Sequence, residues 1–207
     1  MAEVIDNLMI ETGVEQPAAI EAIPLEQRTD VTVDELERMS LPCPAELYKG
    51  KVVFKHKWPP REIIQGNIHA ALKDYLRHNR IGYITMETGF QLWLDHRNEL
   101  RFPDLAFIKR ERVPKDLRRF PVIAPDLVAE IIAPQDKFER VMFKLDDYLK
   151  HGTRIVWLIM RFRKIREVMV CAGMEMHSVR DVLTAPDLLP GFELPVSKIF
   201  EGFPLPE

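Results

Sequence analysis

The chain has 207 residues, 46% of them hydrophobic and 29% charged, with a formal net charge of −3. That is enough apolar material for one buried core without disulfides or a structural metal. Cys43 and Cys171 are too far apart for a C-x-x-C pair, no run approaches the ~18 apolar residues of a membrane span, and the acidic start is no secretory signal, so a cytoplasmic protein without membrane contact is expected.

Residues 1–30 carry no sustained periodicity and read as a flexible acidic leader ahead of a single domain over 31–207. The first 40 residues hold ten acidic and two basic side chains, whereas the rest carries 27 basic against 22 acidic. Thr32 is placed to cap a short helix with Glu35 at its third position. AELY and KVVFK flank Lys49-Gly50 as the arms of a hairpin. From Pro60 to Asn79, Ile63, Ile64, Ile68, Ala71, Leu72, Tyr75 and Leu76 recur at helical spacing. Three strand-like runs follow, YITMET, FQLWLD and LRFPDLAFI. The basic stretch Lys109 to Arg119 then leads to DLVAEII, an apolar run typical of a central strand. Asp136 with Glu139 signals the start of a second long helix that Gly152 closes. RIVWLIM completes a β-α-β crossover, and IREVMVCA adds another strand. The proline-rich tail reads mostly as loop, with a short element around Val196 to Phe200. The sum is an α/β fold with a mixed sheet flanked by few helices.

Chemistry is most concentrated where acids sit in apolar runs. Asp104 lies in LRFPDLAFI and Glu130 in DLVAEII, and carboxylates are disfavoured in strands unless paired, hydrogen-bonded or metal-bound. Each has the alternative of a solvated strand-end residue. If the two strands pair, the carboxylates converge on one oxygen-loving dication, Mg²⁺ or Mn²⁺. The second helix carries Lys137, Arg140, Lys144, Asp147 and His151 on one polar stripe. No glycine-rich phosphate loop, nucleophile elbow or H-E-x-x-H occurs. The six histidines show no ligand spacing, and the three tryptophans read as packing.

RFPDLAFI, PDLVAEIIAP, FKLDDYLKHG and IVWLI, in that order, resemble the Uma family of bacterial endonucleases, within the PD-(D/E)XK restriction-endonuclease-like superfamily. The likeness runs from about Val31 to Phe200, from the opening helix and the ELYKGKVV hairpin to the closing PGFELPVSKIF. It implies a restriction-endonuclease-like fold and a metal-dependent DNA endonuclease, with Asp104 and Glu130 holding the ion. The superfamily lysine usually stands two places after the second acid, where this chain has Ile132; Lys144 on the next helix matches the family's alternative. Glu87 and Glu46 match further family acids, Glu87 being taken as a third metal ligand. Departures are Glu62 where a histidine often opens the long helix, Ala133 in place of a serine, and Met160 after Trp157-Leu158-Ile159. The basic cluster Lys109 to Arg119 is a candidate grip on the nucleic-acid backbone. Cleavage of both strands would need two sites, as in a homodimer, although no stretch signals an interface. The alternative is a nucleic-acid-binding or regulatory protein that keeps the fold without turnover.

Overall fold

In the computed structural model, residues 23–55, 57–116, 118–162, 165–171 and 173–203 are described. The leader expected over 1–30 therefore lies largely outside the described residues. From Arg28 onward the chain is tied to the domain, since Arg28 pairs with Glu35 and the Val31 N–H donates to the Gly50 carbonyl.

Helix α1 (Val33–Arg38) starts at Thr32, whose hydroxyl accepts the Glu35 N–H at 3.2 Å, the cap its sequence predicts. β1 (Ala45–Tyr48) and β2 (Lys51–Phe54) pair antiparallel. Lys49 and Gly50 both have positive φ, 49° and 76°, the two-residue turn whose twist matches the strands it joins. Gly50 is required there twice over, because a Cβ would meet the Thr29 carbonyl oxygen at 2.3 Å. Helix α2 (Pro59–His78) begins on two prolines that cost it no intrahelical donor.

The main sheet has six strands: β3 (Gly82–Met86), β4 (Leu105–Lys109), β5 (Leu127–Ile132), β6 (Ile155–Phe162), β7 (Ile165–Val170) and β8 (Glu175–Ser178), hydrogen-bonded in that order. Only β5 and β6 run parallel, joined through α3 (Phe138–Lys150); every other neighbouring pair is antiparallel. One face packs under α2 through Phe107, Ala129, Ile131 and Trp157. The other packs under α3 through Val128, Ile132, Leu145 and Tyr148. A third cluster holds α1 and the hairpin against Leu100 and Phe102.

Three expectations need correction. FQLWLD forms no strand; Phe90 makes one isolated bridge to Arg101. Asp104 stands just before β4 and not within it, because Pro103 has no N–H to offer a ladder. The tail holds two paired strands, β9 (Val182–Ala185) and β10 (Leu189–Pro195), ahead of α4 (Val196–Ile199). Its prolines are tolerated because this two-stranded sheet has only edges, and the register shifts between Leu189 and Glu193.

Candidate active site

β5 is buried along its whole length. Its residues alternate between the two cores, with Leu127, Ala129 and Ile131 towards α2 and Val128 and Ile132 towards α3, so Glu130 also faces α3. Two α3 side chains one turn apart meet it there. Lys144 Nζ lies 2.9 Å from Glu130 Oε1, and the Tyr148 hydroxyl donates to the same oxygen at 2.9 Å. Lys144 Nζ is also 2.7 Å from Oε1 of Glu46 on β1. That oxygen accepts the Phe102 N–H at 3.1 Å, which locks the hairpin to the strand approach of β4.

Asp104 sits where β4 and β5 part. Their paired residues end at Leu105 and Ala129. Beyond that pair the Asp104 side chain takes over from the backbone, its Oδ2 accepting the Ile131 N–H at 2.7 Å. Its Oδ1 receives Lys55 Nζ at 2.5 Å, and Arg61 Nε lies 3.7 Å away. Lys55, immediately after β2, also donates to the Phe102 carbonyl at 2.9 Å. Arg61 is anchored more firmly, to the Ile131 carbonyl and to Asp136 Oδ2 at 2.9 Å. Asp136 additionally accepts the Ala133 N–H. It therefore serves the site and does not cap α3, whose N-cap is Lys137. Gln65 on α2 donates to the Asp104 carbonyl.

Burial penalises every charge in this cluster, and the partners decide the outcome. At Asp104 the penalty is outweighed by Lys55, Arg61 and Lys144, so its carboxyl is held below the usual carboxylate range. At Glu46 it is outweighed by Lys144 and Lys55, with the same result. At Glu130 burial wins and the carboxyl is pushed up. The Lys144 ammonium, facing Glu130, Glu46 and Asp104, is raised above the ordinary lysine range despite burial. Burial and Glu130 together push the Tyr148 phenol far up. Lysine and phenol thus both stay protonated at neutral pH and act as donors.

A cleft of about 290 Å³ opens over the cluster, lined by Glu46, Lys55, Arg61, Glu130, Lys137, Arg140 and Lys144 among others. Asp104 lies beneath Lys55 and Arg61 and is 1% exposed. A second hollow of about 430 Å³ adjoins it and adds Tyr48, Lys51 and Phe143.

Of the residues singled out in the sequence, Asp104, Glu130, Lys144 and Glu46 come together. The Glu87 side chain does not join them, although its backbone N–H donates to the Asp104 carbonyl at 3.3 Å. Glu87 is exposed beyond the end of β3 with φ of 46°, and its side chain makes no hydrogen bond or ion pair among the described residues. At the start of α2, Glu62 points to solvent and the neighbouring Arg61 reaches the site. Lys55 and Arg61 escape the sequence reading. Arg61 carries a signal in hindsight, because Arg61, Ile64, Gln65, Ile68 and Leu72 form one buried helical stripe with polar members. Lys55 carries none. In the basic stretch Lys109 to Arg119, Arg112 pairs with Asp126, Arg118 with Asp116, and Arg119 with Asp34 and Glu37. None of that stretch lines the cleft.

Known structures bear on this arrangement. A solved structure described as a "putative nuclease belonging to DUF820 from Anabaena variabilis" is similar with a TM-score of 0.67, at 21% identity over 82% of this chain and 97% of that one. At that identity the likeness is one of fold, and it defines the class: an α/β fold with a mixed sheet between helices. The family model described as "Uma2: Putative restriction endonuclease" matches residues 33–197, and the chain belongs to that family. No curated protein matches its sequence. No helix among the described residues is long and apolar enough to cross a membrane.

Proposed function

We propose that the protein is a metal-dependent phosphodiester hydrolase acting on nucleic acid, DNA in the first place, in which Asp104 and Glu130 hold Mg²⁺, or Mn²⁺ in its stead, and Lys144 assists. The observation that carries this reading is the meeting of Glu46, Asp104 and Glu130 with Lys55, Arg61 and Lys144 at one cleft rimmed by Lys137 and Arg140. All three acids are hard oxygen donors of the kind these ions prefer. The contacts to Glu46 and Glu130 described above use Oε1, which leaves Oε2 of each as a donor. On this reading Glu46, which lines the cleft, is the third acid in place of Glu87. Among the described residues no three acid, histidine or cysteine side chains stand close enough to form a ready-made cage. Lys144 bridges two of the carboxylates and Lys55 covers the third. The donor set therefore fits in kind, with cations of the chain itself interposed.

A bound dication there supplies charge neutralisation and a water of lowered pKa. The chain's own residues do the rest. Lys144, held protonated between Glu46 and Glu130, stabilises the negative charge on the non-bridging phosphoryl oxygens in the transition state. The Tyr148 hydroxyl fixes the rotamer of Glu130. Lys137 and Arg140 draw the phosphate backbone to the cleft.

A second reading, binding without turnover, is favoured by one observation: Asp104 is already neutralised by Lys55 and Arg61. Incubation of supercoiled plasmid with Mg²⁺, Mn²⁺ or chelator separates the two. Asp104→Asn and Glu130→Gln are the variants to use, because asparagine still accepts the Ile131 N–H while alanine would leave it unpaired. Nicking is expected to need the metal and to fall at least about 100-fold in both variants. Cleavage that ignores chelator or both substitutions sinks the proposal; tight DNA binding with no cleavage by the wild type supports the second reading.

A further inference from the structure

We propose that Lys55 is the resting occupant of the cation position on Asp104 and sets the affinity with which the site takes a divalent ion, an inference that rests on the metal-dependent reading above. Asp104 commits Oδ2 to the Ile131 N–H, so Oδ1 is the oxygen left for a cation. Lys55 Nζ holds it at 2.5 Å, with 12% of the Lys55 side chain exposed against 1% for Asp104. Lys55 lines the cleft and Asp104 does not, so the ammonium stands between the carboxylate and anything that enters. A cation held by the same oxygen would meet that ammonium at short range beside a carboxylate that is 1% exposed, where the repulsion is weakly screened.

The charge count points the same way. Glu46, Asp104, Glu130 and Asp136 bring four carboxylates, and Lys55, Arg61 and Lys144 bring three cationic groups. A dication added to this set, which has one negative charge in excess, leaves one positive charge in excess, and withdrawal of Lys55 restores the balance. The withdrawn ammonium can then pair with a phosphodiester in the cleft.

Lys55 is also the member able to leave. Arg61 is held by Asp136 and the Ile131 carbonyl, and Lys144 by two carboxylates. Lys55 has a flexible stem beyond the last residue of β2 and, besides Asp104, a single carbonyl partner. The metal and Lys55 thus compete for one carboxylate, and the substrate's phosphate is the anion that Lys55 turns to when displaced.

The test is Mn²⁺ alone, titrated into the full-length protein by calorimetry, for the wild type, Lys55→Met and Lys55→Gln. Thermal unfolding checks that each variant is folded, and the glutamine form covers the case in which methionine disturbs the pocket. Both variants should bind Mn²⁺ about tenfold or more tightly than the wild type, and Glu130→Gln added to either should abolish the gain. A purely structural lysine predicts unchanged or weaker Mn²⁺ binding in the variants; that result overturns the role of Lys55 while leaving a metal-dependent enzyme standing. Absence of Mn²⁺ binding in all three proteins overturns both.

Discussion

Removing the hydroxyl of Tyr148 isolates one bond of the cluster without changing its packing. The Tyr148→Phe protein should lose about 1–2 kcal/mol of stability in urea unfolding, the cost of leaving a buried carboxylate oxygen one donor short; a loss within error would show that Lys144 alone satisfies Glu130. At this scale the sequence is informative in one direction only. Asp104 and Glu130 stand out because an acid among large apolar residues is costly unless partnered. Lys144 follows from the resemblance to family members. The partners are harder to see. Tyr148 occupies an apolar stripe position, where a tyrosine looks like any core residue. Lys55 sits in KVVFKHK among lysines of identical appearance, and its chemistry depends on a carboxylate 49 residues away. Glu46 and Glu87 match the family equally well, and only the docking of the hairpin distinguishes them.

Helix α3 owes its placement to a side chain outside it. Arg101, 3% exposed, donates twice to Asp147 on α3, at 2.6 and 2.8 Å, and once each to Glu99 and the Leu47 carbonyl. Its guanidinium also lies over the Trp93 ring at 4.7 Å. Burial opposes its charge, but Asp147 and Glu99 outweigh that and raise it above the ordinary arginine range. The same contacts press α3 against β1 and so bring Lys144 to Glu46. Arg101→Met should cost about 3–5 kcal/mol in denaturant unfolding, because it leaves the buried Glu99 and the half-buried Asp147 without their shared cation; a cost below about 1 kcal/mol would mean the pairs are screened by water. Elements with strong periodicity are read correctly from sequence: α2, α3, β5 and β6 fall within a residue or two of their expected limits. The tail strands are not, because proline signals loop everywhere except at a sheet edge, and edges are decided by the whole fold.

Across the whole molecule, charge is sorted more finely than the basic clusters of the sequence suggest. Arg112, Arg118 and Arg119 of the Lys109 to Arg119 stretch are spent on Asp34, Glu37, Asp116 and Asp126, whereas Lys137 at the start of α3, Arg140 within it and Lys51 on the hairpin border the open hollows. DNA binding should therefore weaken as salt rises. Arg140→Ala should flatten the slope of log affinity against log salt by about 0.9, while Arg119→Ala should leave it unchanged. An effect confined to Arg119 would move the nucleic-acid surface to the other stretch. The four residues from Tyr48 to Lys51 carry a last consequence. The tight turn sets Ala45 opposite Phe54, so that the Lys55 N–H reaches the Pro44 carbonyl. One inserted or deleted residue at Lys49-Gly50 would slip the two arms and swing either Glu46 or Lys55 to the opposite face. Natural drift in this loop should accordingly change its letters far more readily than its length.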